Sequence, residues 1–233
     1  MRLRAVFLDL DGTMVEQATT TRFLLHVCAK LGVSATAAQV AQVQRRVGSS
    51  WIEDTADVRL QTRDGFVELN AAFLAALGVE TDVDRLARRM LDIWDRYPDE
   101  LDERIYPDVK RGLEALRGKG LALGVVSHRH RELSLASLRR HQLSDDFAGV
   151  VSPQIAGTPR GKLDPHLWEY ALAMLGVDRD EVVHVDNEYE VGVRGAQQAG
   201  IRAVLIDRTG TASPIRGCEV VSDFDDLVQL IGS

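Results

Sequence analysis

Two carboxylates stand one residue apart in Asp9-Leu10-Asp11, followed by Gly12 and Thr13, directly after the apolar run Ala5-Val6-Phe7-Leu8. Three more polar positions come after apolar runs in the same way. Ser127-His128 comes after Leu123-Gly124-Val125-Val126, Lys162 after Gly149-Val150-Val151 and its loop, and Asp186-Asn187 after Val182-Val183-His184-Val185. If those runs are parallel strands of one open sheet, the polar residues converge, because ligands of such sheets sit beyond the carboxyl ends of the strands. A carboxylate placed there can attack phosphorus and form an aspartyl-phosphate, splitting one displacement into two easier ones. Asp9, nearest the strand end, suits the nucleophile. The leaving alkoxide needs a proton and the later water must lose one, and a second carboxylate two residues on can do both. Gly12 lets the chain turn without a Cβ clash near the ligand. A carboxylate facing a phosphate dianion is electrostatically unfavourable; a hard divalent cation relieves this, and Mg²⁺, with its few carboxylate ligands, fits. Ser127 and backbone N–H groups would hold the equatorial oxygens, and Lys162 would add positive charge. Taken singly, each residue has an ordinary role as a turn, a helix cap or a surface lysine; the joint pattern carries the argument.

The elements that must position these residues follow from periodicity. Residues 4–10 read as a strand buried on both faces, the signature of a parallel sheet. From Thr19 to Tyr97 the apolar spacing is helical throughout, with stops at Gly32, Gly48, Gly78 and Pro98. After Pro107 helices alternate with strands. Helices are expected over 108–117, 131–141, 165–175, 191–199 and 223–231, and strands over 121–126, 149–151, 182–185 and 203–206. The fold expected is α/β: a Rossmann-like open parallel sheet with helices on both faces and an inserted all-helical block.

Composition excludes several classes. The 233 residues are 45% hydrophobic and 27% charged, which is too apolar for intrinsic disorder. No apolar run approaches the roughly 20 residues of a membrane span, and the N-terminal run is too short for a signal peptide. The net charge of −7 argues against nucleic acid and anionic membranes. Cys28 and Cys218 lie far apart, and a reduced, cytoplasmic setting fits. Of the basic residues only Lys30, Lys110, Lys119 and Lys162 are lysines.

The ordered blocks resemble the haloacid dehalogenase (HAD) superfamily over nearly the whole chain. Its first motif, a strand then DxDGT, stands as Val6-Phe7-Leu8-Asp9-Leu10-Asp11-Gly12-Thr13. Its second stands as Leu123-Gly124-Val125-Val126-Ser127, and its third, a Lys in a GKPDP-like run, as Gly161-Lys162-Leu163-Asp164-Pro165. Gly195-Ala196-Gln197-Gln198-Ala199-Gly200 matches its GAxxAG helix. The resemblance implies a Mg²⁺-dependent phosphatase acting on a small phosphorylated metabolite, with Asp9 as nucleophile and Asp11 as acid and base. It puts Gly12, Thr13, Ser127, His128 and Lys162 on the phosphate side, His128 standing where the family often has Asn. Asp9, Asp11 and Asp186 would face the metal. It also implies a helical C1-type cap over 15–97, inserted in a core of 1–14 and 98–233. Arg22, Arg45, Arg46 and Arg59 are cap candidates for substrate contact. Asp11 argues against dehalogenation, since the family's dehalogenases generally lack it. Lys30, the cap's lysine, shows no sign of Schiff-base chemistry. A monomer or homodimer is expected.

The fourth motif departs from the pattern. The family usually has Gly-Asp, about four residues, then Asp, before the GAxxAG helix. A gapless match from Gly195-Ala196 puts Asp186 over the glycine, Asn187 over the metal-binding Asp and Gly192 over the second Asp. A one-residue shift makes Asp186 the metal carboxylate with Glu190 as its support, and is favoured because loops absorb single-residue changes. On the gapless register Asn187 could still ligate Mg²⁺ through its amide oxygen, with less charge to hold it. Two alternatives therefore accompany the phosphatase reading: a degenerate HAD-fold protein that binds a phosphorylated ligand with little turnover, and a phosphomutase or phosphotransferase sharing the aspartyl-phosphate.

Overall fold

The computed structural model describes residues 2–16, 20–54, 63–94, 96, 103–158, 160–210 and 217–232. Thr19, Arg59, Tyr97, Pro98 and Pro159, and the side chain of Arg45, lie outside this description. The chain divides into two compact units, one of Met1–Glu16 with Arg104–Ser233 and the other of Gln17–Glu103.

The first unit is built on a parallel sheet of β1 (Ala5–Leu8), β2 (Ala122–Val126), β3 (Gly149–Val151), β4 (Val182–Asp186), β5 (Arg202–Ile206) and β6 (Glu219–Val221), in the order β3-β2-β1-β4-β5-β6. β1 is central because both its faces are apolar. Val6 and Leu8 join one layer and Ala5 and Phe7 the other, all fully buried. The first layer is closed by α5 (Val109–Gly118) and α10 (Phe224–Gly232) through Val109, Leu113, Leu116, Phe224 and Leu227. The second is closed by α8 (Pro165–Leu175) through Leu167, Trp168 and Ala171, and by Ala196 of α9 (Arg194–Gln198). Between β2 and α8 lie α6 (Arg131–Arg140) and the short α7 (Pro153–Ala156). The order reverses at β1, whose neighbours are β2 and β4, and a crevice at that switch point is where such sheets hold ligands.

The second unit is helical: α1 (Thr20–Leu31), α2 (Ala37–Asp54), α3 (Arg63–Ala76) and α4 (Val83–Trp94). Phe23, Val27, Val40, Leu74 and Met90 form its separate core. The buried Asn70 side chain donates to the Ala87 carbonyl at 3.2 Å, tying α3 to α4. Arg22 and Arg46 lie on α1 and α2. No helix among the described residues is long and apolar enough to cross a membrane.

The chain leaves the sheet unit and returns to it side by side. Val15 bridges Ile105 in antiparallel fashion, the Glu16 N–H donates to Arg104 O at 2.7 Å, and the Tyr106 N–H donates to Met14 O at 3.0 Å.

Several elements differ from expectation. The short α7 stands in a stretch that reads as loop, and β6 goes unmarked in the sequence, because two of its three residues are exposed and no apolar run announces it. The helix expected over 191–199 opens instead as a π-helical turn, Tyr189–Val193, in which the Val193 N–H reaches back five residues to Glu188 O at 3.1 Å.

Candidate active site

The carboxyl ends of β1, β2 and β4 bring Asp9, Ser127 and Asp186 together with Lys162. Asp9 continues the ladder past β1, its N–H donating to Val185 O at 3.0 Å. The chain then turns tightly, with Met14 and Val15 N–H groups both on Leu10 O and the Gly12 N–H on Val15 O. That turn needs φ +81° at residue 12, and a Cβ there would meet the Asn187 amide nitrogen at 2.3 Å, so glycine is required twice over.

Lys162 is the centre of the cluster. Its Nζ donates to Asp9 Oδ1 at 2.5 Å and to Asp186 Oδ2 at 2.6 Å, and all three side chains are almost wholly buried. Its backbone is held from two sides: its N–H donates to His128 Nε2 at 3.1 Å, and its carbonyl accepts from Trp168 Nε1 at 2.8 Å. Gly195 of α9 packs against that same carbonyl, so a side chain at 195 would collide with it.

Burial raises the Asp9 carboxyl, Lys162 opposes the rise, and the neighbouring Asp186 and Asp11 add to it, leaving the pKa at about 8. Burial also acts to raise Asp186, but the Lys162 charge and the His184 hydrogen bond outweigh it and hold that carboxyl below its ordinary value. Lys162 stays charged: its two carboxylates more than offset its burial. The cluster is thus short of positive charge, and Asp9 bears the shortfall.

Around this cluster the other polar residues have separate partners. Ser127 is buried, and its Oγ accepts the Arg129 N–H at 3.1 Å, leaving its O–H available as a donor. Arg129 Nε donates to Asp11 Oδ2 at 3.0 Å while its NH2 pairs with Oδ1, so Asp11 is gripped on both oxygens. The Thr13 hydroxyl donates to Asn187 Oδ1 at 3.3 Å. His128 is exposed as a residue, yet desolvation of its imidazole and the Lys162 charge keep its pKa below the usual histidine value. Its Nε2 is spent on Lys162, so towards a phosphate it offers only the other ring nitrogen.

Glu190 does not support Asp186, contrary to expectation. The π turn rotates it outwards, where it is 70% exposed and paired with Arg194 at 2.6 Å. The support comes from elsewhere: His184 Nε2 lies 2.9 Å from Asp186 Oδ2, and the Glu188 N–H donates to Oδ1 at 2.8 Å. An ionised carboxylate only accepts, so Nε2 of His184 carries a proton towards Asp186. The ring rests edge-on against Trp168, 4.7 Å between centroids.

Four residues escaped the sequence reading: Arg129, His184, Trp168 and Arg208. Arg208 donates from Nε and NH2 to the Thr13 carbonyl (2.9 and 2.7 Å) and from NH1 to both oxygens of Asp108 (2.9 and 3.0 Å), stacking over Tyr106 at 3.8 Å. It fixes the floor of the Asp9–Thr13 turn. Of the four only Arg129 carried a signal, its place in the polar run after β2.

The donor chemistry fits Mg²⁺ in a reduced form. Among the described residues no three His, Cys, Asp or Glu side chains gather into a metal-holding group. Asp186 is committed to Lys162, His184 and the Glu188 N–H, and Asp11 to Arg129. Mg²⁺, however, commonly takes one or two protein oxygens and completes its shell with water and substrate phosphate. Asp9, paired with Lys162 through Oδ1, and the Asn187 amide oxygen, which accepts from Thr13, are the hard donors that would face it, at a cluster lacking positive charge.

A parallel sheet with this strand order and an acid, hydroxyl and lysine at its carboxyl edge is the architecture of the HAD-like hydrolases. The chain matches the haloacid dehalogenase-like hydrolase family over residues 3–200 and belongs to it. It is 31% identical over 213 residues to Phosphatase MT3486 of Mycobacterium tuberculosis, covering 90% of each chain. It is 28% identical over 211 residues to (S)-2-haloacid dehalogenase 4A of Burkholderia cepacia, covering 89% of this chain and 84% of that one. The fold is shared with YfnB of Bacillus subtilis, solved bound to magnesium, at TM-score 0.77 and 15% identity over 100% of both chains.

Proposed function

We propose that this chain is a phosphomonoester hydrolase acting on a small phosphorylated metabolite through an aspartyl-phosphate on Asp9. The observation that carries the reading is the Asp9–Lys162 pair, buried at the switch point of the sheet beside Ser127 and Asp11. The proton that the raised pKa leaves on Asp9 passes to Asp11, the freed Asp9 oxygen attacks phosphorus as the bond to the leaving oxygen breaks, and Asp11 gives that oxygen the proton. Water then attacks the same phosphorus, Asp11 takes the water's proton, and inorganic phosphate leaves with Asp9 restored. Lys162 and the Ser127 O–H stabilise the phosphoryl oxygens throughout. Arg129 must release Asp11 for this, and a phosphate dianion is a competing bidentate partner for its guanidinium. Mg²⁺, held by Asp9 and Asn187, would supply further positive charge against the phosphate. The helical unit of residues 17–103 serves as the cap that selects the metabolite.

The test is a panel of phosphorylated metabolites and a generic aryl phosphate, with and without Mg²⁺, using Asp9→Asn as control. Phosphate release that is lost in Asp9→Asn is the expected result. A second reading, ligand binding without turnover, is favoured by the neutral Asn187 beside Gly12; it predicts that the panel binds but releases no phosphate from any member.

A further inference from the structure

The fourth motif is where the chain departs from its family, and two of its residues stand in a reciprocal relation. A Cβ built on Gly192 would lie 2.0 Å from both the carboxyl carbon and Oδ2 of Asp186. The Asp186 carboxyl therefore already fills the space into which a side chain at 192 would begin to grow. On the gapless register these are the two positions at which glycine and aspartate are expected the other way round, glycine at 186 and aspartate at 192.

We propose that positions 186 and 192 have exchanged their residues, so that one buried carboxylate is delivered to Lys162 from the end of β4 instead of from the turn after it. The exchange has three physical parts. Asp186 extends β4 by its last residue, opposite Leu205 of β5, so its backbone is fixed by the ladder. His184, two residues earlier on the same face of the strand, and the Glu188 N–H hold its two oxygens. Gly192, inside the π turn, contributes only the absence of a side chain, and any other residue there drives into the carboxyl.

The consequence falls on Asn187. With Asp186 assigned to Lys162, the position that faces a metal in the family carries a neutral amide, whose oxygen lies by Thr13 and whose nitrogen packs over Gly12. This deepens the phosphatase reading and rests on it for the cation alone; the exchange itself is read from stability.

The experiment is a thermal-denaturation cycle on the full chain with Asp186→Gly, Gly192→Asp and the double variant, alongside Mg²⁺ titration calorimetry on wild type and Asn187→Asp. Each single variant is expected to lower the melting temperature by about 5 °C, one by leaving Lys162 with a single carboxylate and the other by collision. The double variant should recover most of that loss. A double variant that melts at or below the sum of the single losses overturns the exchange, whether or not the protein hydrolyses any ester. Asn187→Asp should bind Mg²⁺ roughly tenfold more tightly, since added ligand charge raises cation affinity. Unchanged affinity overturns the assignment of Asn187 while leaving the melting cycle to stand on its own. Should a single variant be too unstable to purify, Gly192→Ala, which adds only the colliding Cβ, replaces Gly192→Asp, and an unshifted melting temperature there likewise overturns the close approach.

Discussion

Arg129 holds both carboxylate oxygens of Asp11, and the guanidinium is only 7% exposed. On the proposed mechanism, the acid that carries the proton is therefore oriented by a cation for which an incoming phosphate competes. Arg129→Gln should lower kcat/KM for an aryl phosphate by about a hundredfold to a thousandfold, the range for losing one preorganised donor. Steady-state kinetics check this; a variant with wild-type constants would reduce the pair to a structural contact.

Lys162 is shared between two buried carboxylates. Lys162→Met should abolish turnover, lowering it by at least about a hundredfold, and destabilise the protein by leaving Asp9 and Asp186 facing each other unpaired. Lys162→Arg should not rescue it, because a planar guanidinium cannot replace an ammonium enclosed on all sides. Melting curves and initial rates on both variants test the point together.

Trp168 reaches the same lysine through its backbone. In Trp168→Phe the ring is largely preserved but the Lys162 carbonyl loses its donor. A buried acceptor left unpaired costs about 2 kcal/mol, read as a fall of roughly 4–8 °C in melting temperature. A loss below about 1 °C would mean that the carbonyl finds another partner.

Asp108 supplies a pH signature away from the Lys162 cluster. Burial acts to raise its carboxyl, but the Arg208 hydrogen bonds, the Phe224 N–H and the Arg208 charge prevail and lower it. A carboxyl depressed on folding stabilises above its unfolded pKa of about 3.9 and loses that contribution as pH falls through the lower folded value. Wild type should therefore melt above Asp108→Asn at neutral pH, with the gap closing below about pH 4. A gap independent of pH would assign the effect to packing.

The sheet was legible because burial on both faces leaves an unmistakable mark: β1 and β2 are continuous apolar runs ending in polar residues, and β4 is one broken only by His184. β6 carries no such mark, since Glu219 and Val220 face outwards and only Val221 is buried. Asp9, Ser127 and Lys162 could be placed at one edge from strand ends alone. Arg208 could not, because its partner Thr13 is 195 residues away and nothing local announces the contact. His184 reads as a core histidine until the carboxylate two residues on is seen folding back to it. The fate of Glu190 depended on a π turn, which adds one residue to a helical turn and so rotates its neighbours about the helix axis; apolar spacing does not register a change of that size.

The β-bridge between Val15 and Ile105, with the Glu16–Arg104 hydrogen bond beside it, has a consequence for the ancestry of the chain. Because exit and return are already stitched together, residues 17–103 hang from the sheet unit at a closed seam. Lengthening, trimming or exchanging what hangs there changes the loop-closure entropy only logarithmically and leaves the Asp9 turn undisturbed. Such a seam lets evolution graft one inserted unit after another onto an unaltered sheet.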